Sequence, residues 1–264
     1  KASATSSAFG VVPVAFVKLQ GQGDLANFSL QAGKMTTLIG DEYNFTFQNM
    51  NIERGLVWNT EQAFDRGVQV NYANGPLSVS LSWNDGLYTN NLNWMTGVVS
   101  LALAPTDIIA VSGGGNLGGH NGSPLNQGSM WNLIYTHTDG PLVISPYVQL
   151  IETPNTGPFG FASTEVWSGA VLASYSFDDN WKIGLRGEYE DESGSVAGGQ
   201  FDVLGFGAGS SAWSVTVTPT YQWKAFFGRL DLSYVGLSDQ SFGFSNSGTS
   251  SDQFRLMFET GVVF

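Results

Sequence analysis

Apolar and polar residues alternate with a period of two along most of the chain, and the 3.6-residue period of an amphipathic helix is hard to find. In Leu77-Ser78-Val79-Ser80-Leu81-Ser82-Trp83-Asn84 every odd position is apolar and every even position is small and polar. Trp213 to Trp223 repeats the pattern over eleven residues. Trp181, Ile183, Leu185 and Tyr189 alternate with Lys182, Arg186, Glu188 and Glu190. Phe254, Leu256, Phe258 and Val262 alternate with Arg255, Met257, Glu259 and Val263. About thirteen such runs, starting near residues 11, 26, 66, 77, 95, 107, 129, 142, 165, 180, 212, 225 and 252, predict as many strands. Short connections at 74–76, 105–107, 139–141, 178–180 and 223–224 are rich in Gly, Pro, Asn and Asp, which suit tight turns. They alternate with longer loops at 85–93, 116–127, 153–162, 191–210 and 237–250, and the long loop 35–64 precedes the series. Strict alternation of short and long connections puts all the short turns on one rim.

Two architectures show period-2 alternation. A soluble β-sandwich turns its apolar face to a core and carries charge on the other. A transmembrane barrel turns its apolar face to lipid and its polar face to a wet lumen. Only 12% of the 264 residues are charged, about half the usual 25%. The polar positions are mostly Ser, Thr, Gly, Asn and Gln. Aromatics sit about ten residues apart on one parity: Trp181 with Tyr189, Trp213 with Tyr221 and Trp223, Phe226 with Tyr234, Phe254 with Phe264. A tilted membrane strand needs about 9–11 residues to cross the hydrocarbon, and aromatic girdles mark both interfaces of such barrels. A sandwich core has no reason for this spacing. The reading is an all-β, transmembrane, antiparallel up-and-down β-barrel, because in hydrocarbon only a helix or a closed barrel satisfies every backbone N–H and C=O. No run of 18 apolar residues offers a membrane helix instead.

Residues 1–264 are expected to form a single outer-membrane barrel domain. The last strand ends at Phe264 on the lipid-facing parity, which resembles the signal read by the bacterial barrel-assembly machinery. That end belongs on the periplasmic, short-turn rim, so the run at 11–20 starts on the extracellular side. Bacterial single-chain barrels have even strand numbers. Thirteen is odd, so one or three further N-terminal strands are expected, giving 14–16 in the closed barrel, wide enough for an aqueous channel. The start at Lys1, without an initiator Met, reads as a mature chain or one lacking its N-terminal part.

Composition removes several chemistries. The chain has no Cys, which excludes disulfide scaffolds, thiol catalysis and cysteine-based metal sites. Lys+Arg 10 against Asp+Glu 22 give a net charge of −12, a poor basis for nucleic-acid binding. The two His residues suggest no catalytic set: His137 falls on the lipid-facing parity near a short turn, with Ser129 and Asn132 near in sequence, and His120 lies in a Gly-rich loop. Gly113-Gly114-Gly115 lacks the helix and Lys of a phosphate-binding loop. The acidic stretches 178–180 and 190–192 lack EF-hand spacing. No enzyme activity, catalytic residue, metal or cofactor is expected.

The segment Gly33-Lys34-Met35-Thr36-Thr37-Leu38-Ile39-Gly40-Asp41-Glu42-Tyr43 leads into a stretch with Asn49, Asn51, Glu53, Arg54, Leu56 and Trp58. The chain returns at Asp65-Arg66-Gly67, and the strand at 77–84 ends in Trp83-Asn84-Asp85-Gly86. Over about residues 26–90 this resembles the OmpL-like β-barrel porin family of bacterial outer membranes. Met35 stands where that family has an aromatic, and Gly55 follows Arg54 where it has a small hydroxyl residue. The resemblance implies a diffusion pore and leaves the solute open.

Loop 35–64 is too long for an ordinary hairpin and too aromatic for a floppy surface loop, with Tyr43, Phe45, Phe47, Trp58 and Phe64. It is expected to fold into the lumen. Its candidate constriction residues are Asp41, Glu42, Glu53, Arg54, Glu61, Asp65 and Arg66. Candidate wall residues are Lys182, Arg186, Glu188 and Arg229, then Asp231, Arg255 and Glu259. One reading sets acidic loop residues against basic wall residues across an opening, where opposed rows bias ion passage. The other has these charges pair locally and solvate the lumen. Inward positions that are apolar, such as Val98, Ala102, Ile108, Ala110, Ala170 and Leu172, raise a second function: a barrel plugged by its own loops, or anchoring a partner without conducting. Expected partners are outer-membrane lipid and lipopolysaccharide, small hydrophilic solutes, and further copies of the chain, trimers being common for wide porins.

Overall fold

A computed structural model describes residues 10–87, 89–118, 124–156, 160–245 and 247–263. His120 and Phe264 lie outside the described residues. One antiparallel sheet runs in strict chain order: β1 (Ala15–Gln20), β2 (Phe28–Thr36), β3 (Phe64–Asn74), β4 (Leu77–Asn84), β5 (Trp94–Ala104), β6 (Asp107–Asn116), β7 (Ser129–Asp139), β8 (Leu142–Thr153), β9 (Thr164–Ser176), β10 (Trp181–Glu192), β11 (Ser211–Trp223), β12 (Phe226–Ser238) and β13 (Asp252–Val262). This is the up-and-down topology that the alternating pattern predicts.

The period-2 pattern becomes two faces. On β10, Trp181, Leu185 and Tyr189 are exposed on the convex side, while Arg186, Glu188 and Glu190 are buried on the concave side. On β11, Trp213, Val215 and Tyr221 face out, and Ser214, Thr216 and Thr218 face in. The polarity is inverted relative to a soluble protein: large apolar side chains cover the outside, and hydroxyls and charges line the inside. Cross-strand register lines up the girdles. Trp181 stands opposite Tyr221 at the short-turn rim, their rings 4.8 Å apart. Tyr189 stands opposite Trp213 toward the other rim. His137 is on the outward parity of β7, where its Nδ1 lies 2.8 Å from Asp107 at the short-turn rim.

Lipid contact on this face has a measurable consequence. Leu185→Arg, near the middle of β10, is expected to cost about 2–4 kcal/mol of stability in a bilayer, whereas Ser80→Arg, at a half-buried inward position of β4, costs much less. Urea unfolding in vesicles checks this. Equal effects for the two variants would mean that the outward face does not meet lipid.

Candidate functional site

Loop 37–63 does not leave the rim of the sheet. It turns back into the concave side and reaches from β4 to β13. Three apolar contacts seat it. The first turn of a short helix, α1 (Leu56–Asn59), sets Val57 against Ile134, Tyr147, Ala170 and Leu172, with Ala110 and Met50 at the edge. Leu56 packs with Ala212, Val235 and Leu237. Ile39 packs with Met130, Ile151 and Val166. The apolar inward positions Ala110, Ala170 and Leu172 are therefore the floor beneath the loop. Val98 is half-buried, and Ile108 is 43% exposed inside the short-turn rim.

Polar contacts fasten the loop to β10–β13. Arg186 lies at the centre. Its guanidinium bonds Glu42 at 2.8 Å, Glu188 at 3.0 Å and the carbonyl of Glu53 at 2.6 Å. Glu42 accepts a second bond from the Gly55 N–H at 2.8 Å, and Glu188 accepts one from the Val57 N–H at 3.3 Å. Asp231 accepts the N–H groups of Ile52 and Glu53 at 2.8 and 3.1 Å. Arg229 donates to the carbonyls of Thr46 and Asn49, each at 2.9 Å, and pairs with Glu259, which also accepts from the Thr46 hydroxyl. Glu53 pairs with Arg255 at 3.2 Å. Asn51 donates to Thr218 at 2.7 Å. Arg54 stays within the loop, donating to the Asn44 carbonyl and lying 4.5 Å over the Trp58 ring.

Two glycines make room for this docking. A Cβ at Gly184 on β10 would lie 2.4 Å from the Met50 carbonyl oxygen. A Cβ at Gly55 would lie 1.8 Å from Glu188. The second distance explains why a hydroxyl residue is absent after Arg54.

The wall and loop charges thus meet as contact pairs. The acids Glu42 and Glu53 touch Arg186 and Arg255 directly, with no opening between them. Two of the candidate residues sit elsewhere. Asp65 and Arg66 belong to β3, because the ladder already begins at Phe64 opposite Thr36. Asp65 is buried, 3.3 Å from the Gln62 amide. Arg66 takes the outward parity of Val68 and Val70, stands opposite Lys34, and donates to Asn90. Lys182 lies farther down β10, beside a cavity of about 270 Å³ that Phe47 and Arg229 also line. Tyr147, Gln149 and Thr218 complete the seat. As single polar residues in alternating strands they carry no distinguishing signal in the sequence; Gly184, an inward glycine between Lys182 and Arg186, does.

Burial pushes Glu42 up to about 7, with Arg186 opposing the shift and Glu188 adding to it. Burial, with Glu42 and Asp41 close by, holds Glu61 well above the usual carboxylate range. Both of its oxygens lack a hydrogen-bond partner among the described residues. These acids hold protons more readily folded than unfolded, so the stability they contribute falls as pH rises above 4.5, for Glu42 until about 7. Loop 37–63 is expected to resist protease better near pH 5 than near pH 8, measured with an enzyme active at both. Greater resistance at the higher pH would refute this.

The sequence model of the family described as "Putative beta-barrel porin-2, OmpL-like" matches residues 1–264. The chain belongs to this porin family. The OmpL-like porins are barrels of the bacterial outer membrane, and the inverted polarity of the sheet fits that location. Among curated proteins none matches the sequence significantly. Solved structures share the fold at low identity. OmpT of Vibrio cholerae superposes with a TM-score of 0.61 at 14% identity, covering 89% of this chain and 76% of that one. The anion-selective porin from Comamonas acidovorans gives 0.57 at 12% identity, covering 89% and 72%. OprD from Pseudomonas aeruginosa gives 0.50 at 12% identity, covering 93% and 68%. The chain is an outer-membrane porin, a channel for small hydrophilic solutes.

Proposed function

We propose that loop 37–63 is the constriction of this porin and that its charged residues act chiefly as fasteners. Asp41, Glu42, Glu53, Arg54 and Glu61 narrow the lumen by position, and Arg186, Glu188, Arg229, Asp231, Arg255 and Glu259 hold the loop against β10–β13. Lys182 borders the wet space below it. The observation that carries the reading is Arg186, which joins two buried carboxylates and a loop carbonyl at once. A loop fixed in this way reduces the opening without a gating motion. The pore lies in outer-membrane lipid and lipopolysaccharide.

Liposome swelling tests it against a plugged barrel. Purified protein in vesicles is expected to admit small sugars at rates that fall steeply with solute size. Vesicles that do not swell with the smallest sugars would establish the plugged alternative.

A further inference from the structure

Charge is unevenly distributed around the inner wall. β10, β12 and β13 turn four basic residues inward, Lys182, Arg186, Arg229 and Arg255, and five acids, Glu190 and Asp231 among them. From β2 to β9 the inward positions hold Asp65, buried at the very start of β3, and otherwise no charge: Gln31, Gln69, Asn71, Ser80, Ser82 and Thr96 are typical. The loop covers the charged arc and, at Val57, part of β7–β9, while residues 38–44 face β5–β7. Between residues 38–44 and β5–β7 lies a cavity of about 300 Å³. Its polar lining is mostly hydroxyls, among them Ser100, Ser112 and Thr136, with Asn44 and the acids Asp41 and Glu42, and among the described residues no Lys or Arg. Glu42 is bound to Arg186. Asp41 makes no ion pair among the described residues; burial raises its carboxyl above the usual range, a hydrogen bond with the Ser145 side chain opposes that rise, and with Glu42 it acts on the nearby Glu61.

We infer that the space between residues 38–44 and β5–β7 is the conducting path, and that Asp41 makes it prefer cations over anions. A single uncompensated carboxylate in a narrow opening raises the local concentration of cations and repels anions. The hydroxyl wall replaces part of a cation's hydration and has no basic group to retain an anion. The inference rests on the pore reading and adds the path and the sign of its preference.

Planar-bilayer recordings in a KCl gradient test the sign. The wild-type reversal potential is expected to report K⁺ preferred over Cl⁻ severalfold, and Asp41→Asn to lower that ratio by about twofold or more, with Asp41→Glu retaining it. The chain has no Cys, so Ser100→Cys provides a unique thiol for a methanethiosulfonate reagent. A bulky adduct there is expected to remove most of the current, and an adduct on Thr218→Cys, beneath the docked loop, is expected not to form. Sugar uptake with no cation preference, or a reversal potential indifferent to Asp41→Asn, overturns the selectivity and leaves the pore standing. An undiminished current after Ser100→Cys is modified overturns the path. If Asp41→Asn does not insert, the wild-type sign and the Ser100→Cys block still decide. Absence of both sugar uptake and current would overturn the pore reading itself.

Discussion

Arg186→Met is expected to unfasten the loop and to cost about 3–5 kcal/mol of stability, the range for removing one partner of a buried ion pair. The reason lies in what remains. The side chains of Glu42 and Glu188 have no exposed surface, so without the guanidinium two carboxylates face each other out of water. The Glu53 carbonyl also loses its donor. One remedy is for a carboxylate to take up a proton, so the deficit shrinks at acid pH. Arg186→Lys is expected to recover only part of the loss, because an ammonium cannot span two carboxylates and a carbonyl as a planar guanidinium does. Adding Glu42→Gln and Glu188→Gln to Arg186→Met is expected to restore stability beyond the sum of the single effects, since the three residues act as one unit. Heat or urea unfolding in detergent gives the stability, and protease cutting within 37–63 reports the loop. Wild-type values of both for Arg186→Met would show that the apolar seat alone holds it.

The sheet was largely legible because a membrane barrel writes its two faces into the sequence at every second residue. Leu77 to Asn84 and Trp213 to Trp223 announce strand, parity and interface in the same few letters. The docking of the loop was less legible. That Ala170 and Leu172 point inward follows from parity; that Val57 covers them depends on a contact between positions more than a hundred residues apart. The charges show the same limit. Glu42 and Arg186 can be assigned to loop and wall from sequence, but opposed rows and contact pairs differ only by the distance between them. Arg66 follows directly on the loop in sequence, yet the alternation Arg66, Val68, Val70 puts it on the outer parity of β3. The vacant inward position at Gly184 could have been read as a place where another chain segment approaches, since glycine in a strand often marks a close backbone contact.

Replacing residues 41–61 by a short Gly/Ser linker is expected to raise single-channel conductance severalfold while leaving the sheet folded. At first sight this should be more damaging than Arg186→Met, because it removes every fastener at once. The two changes differ in what they leave dry. Arg186→Met leaves carboxylates under a loop that still excludes water. Removing the loop opens Arg186, Glu188, Arg229 and Asp231 to the lumen, where each regains hydration, and no buried charge is left alone. Each strand from β2 to β12 keeps its two neighbours, and the lipid-facing surface is untouched. The principal stability loss is the apolar seat of Leu56 and Val57, whose burial stabilises by roughly 1.5–3 kcal/mol per side chain. Conductance, by contrast, depends on the narrowest cross-section, which the loop sets. Planar-bilayer recording and swelling with larger oligosaccharides measure the opening. Unchanged conductance and an unchanged size limit in a folded variant would place the constriction elsewhere on the wall.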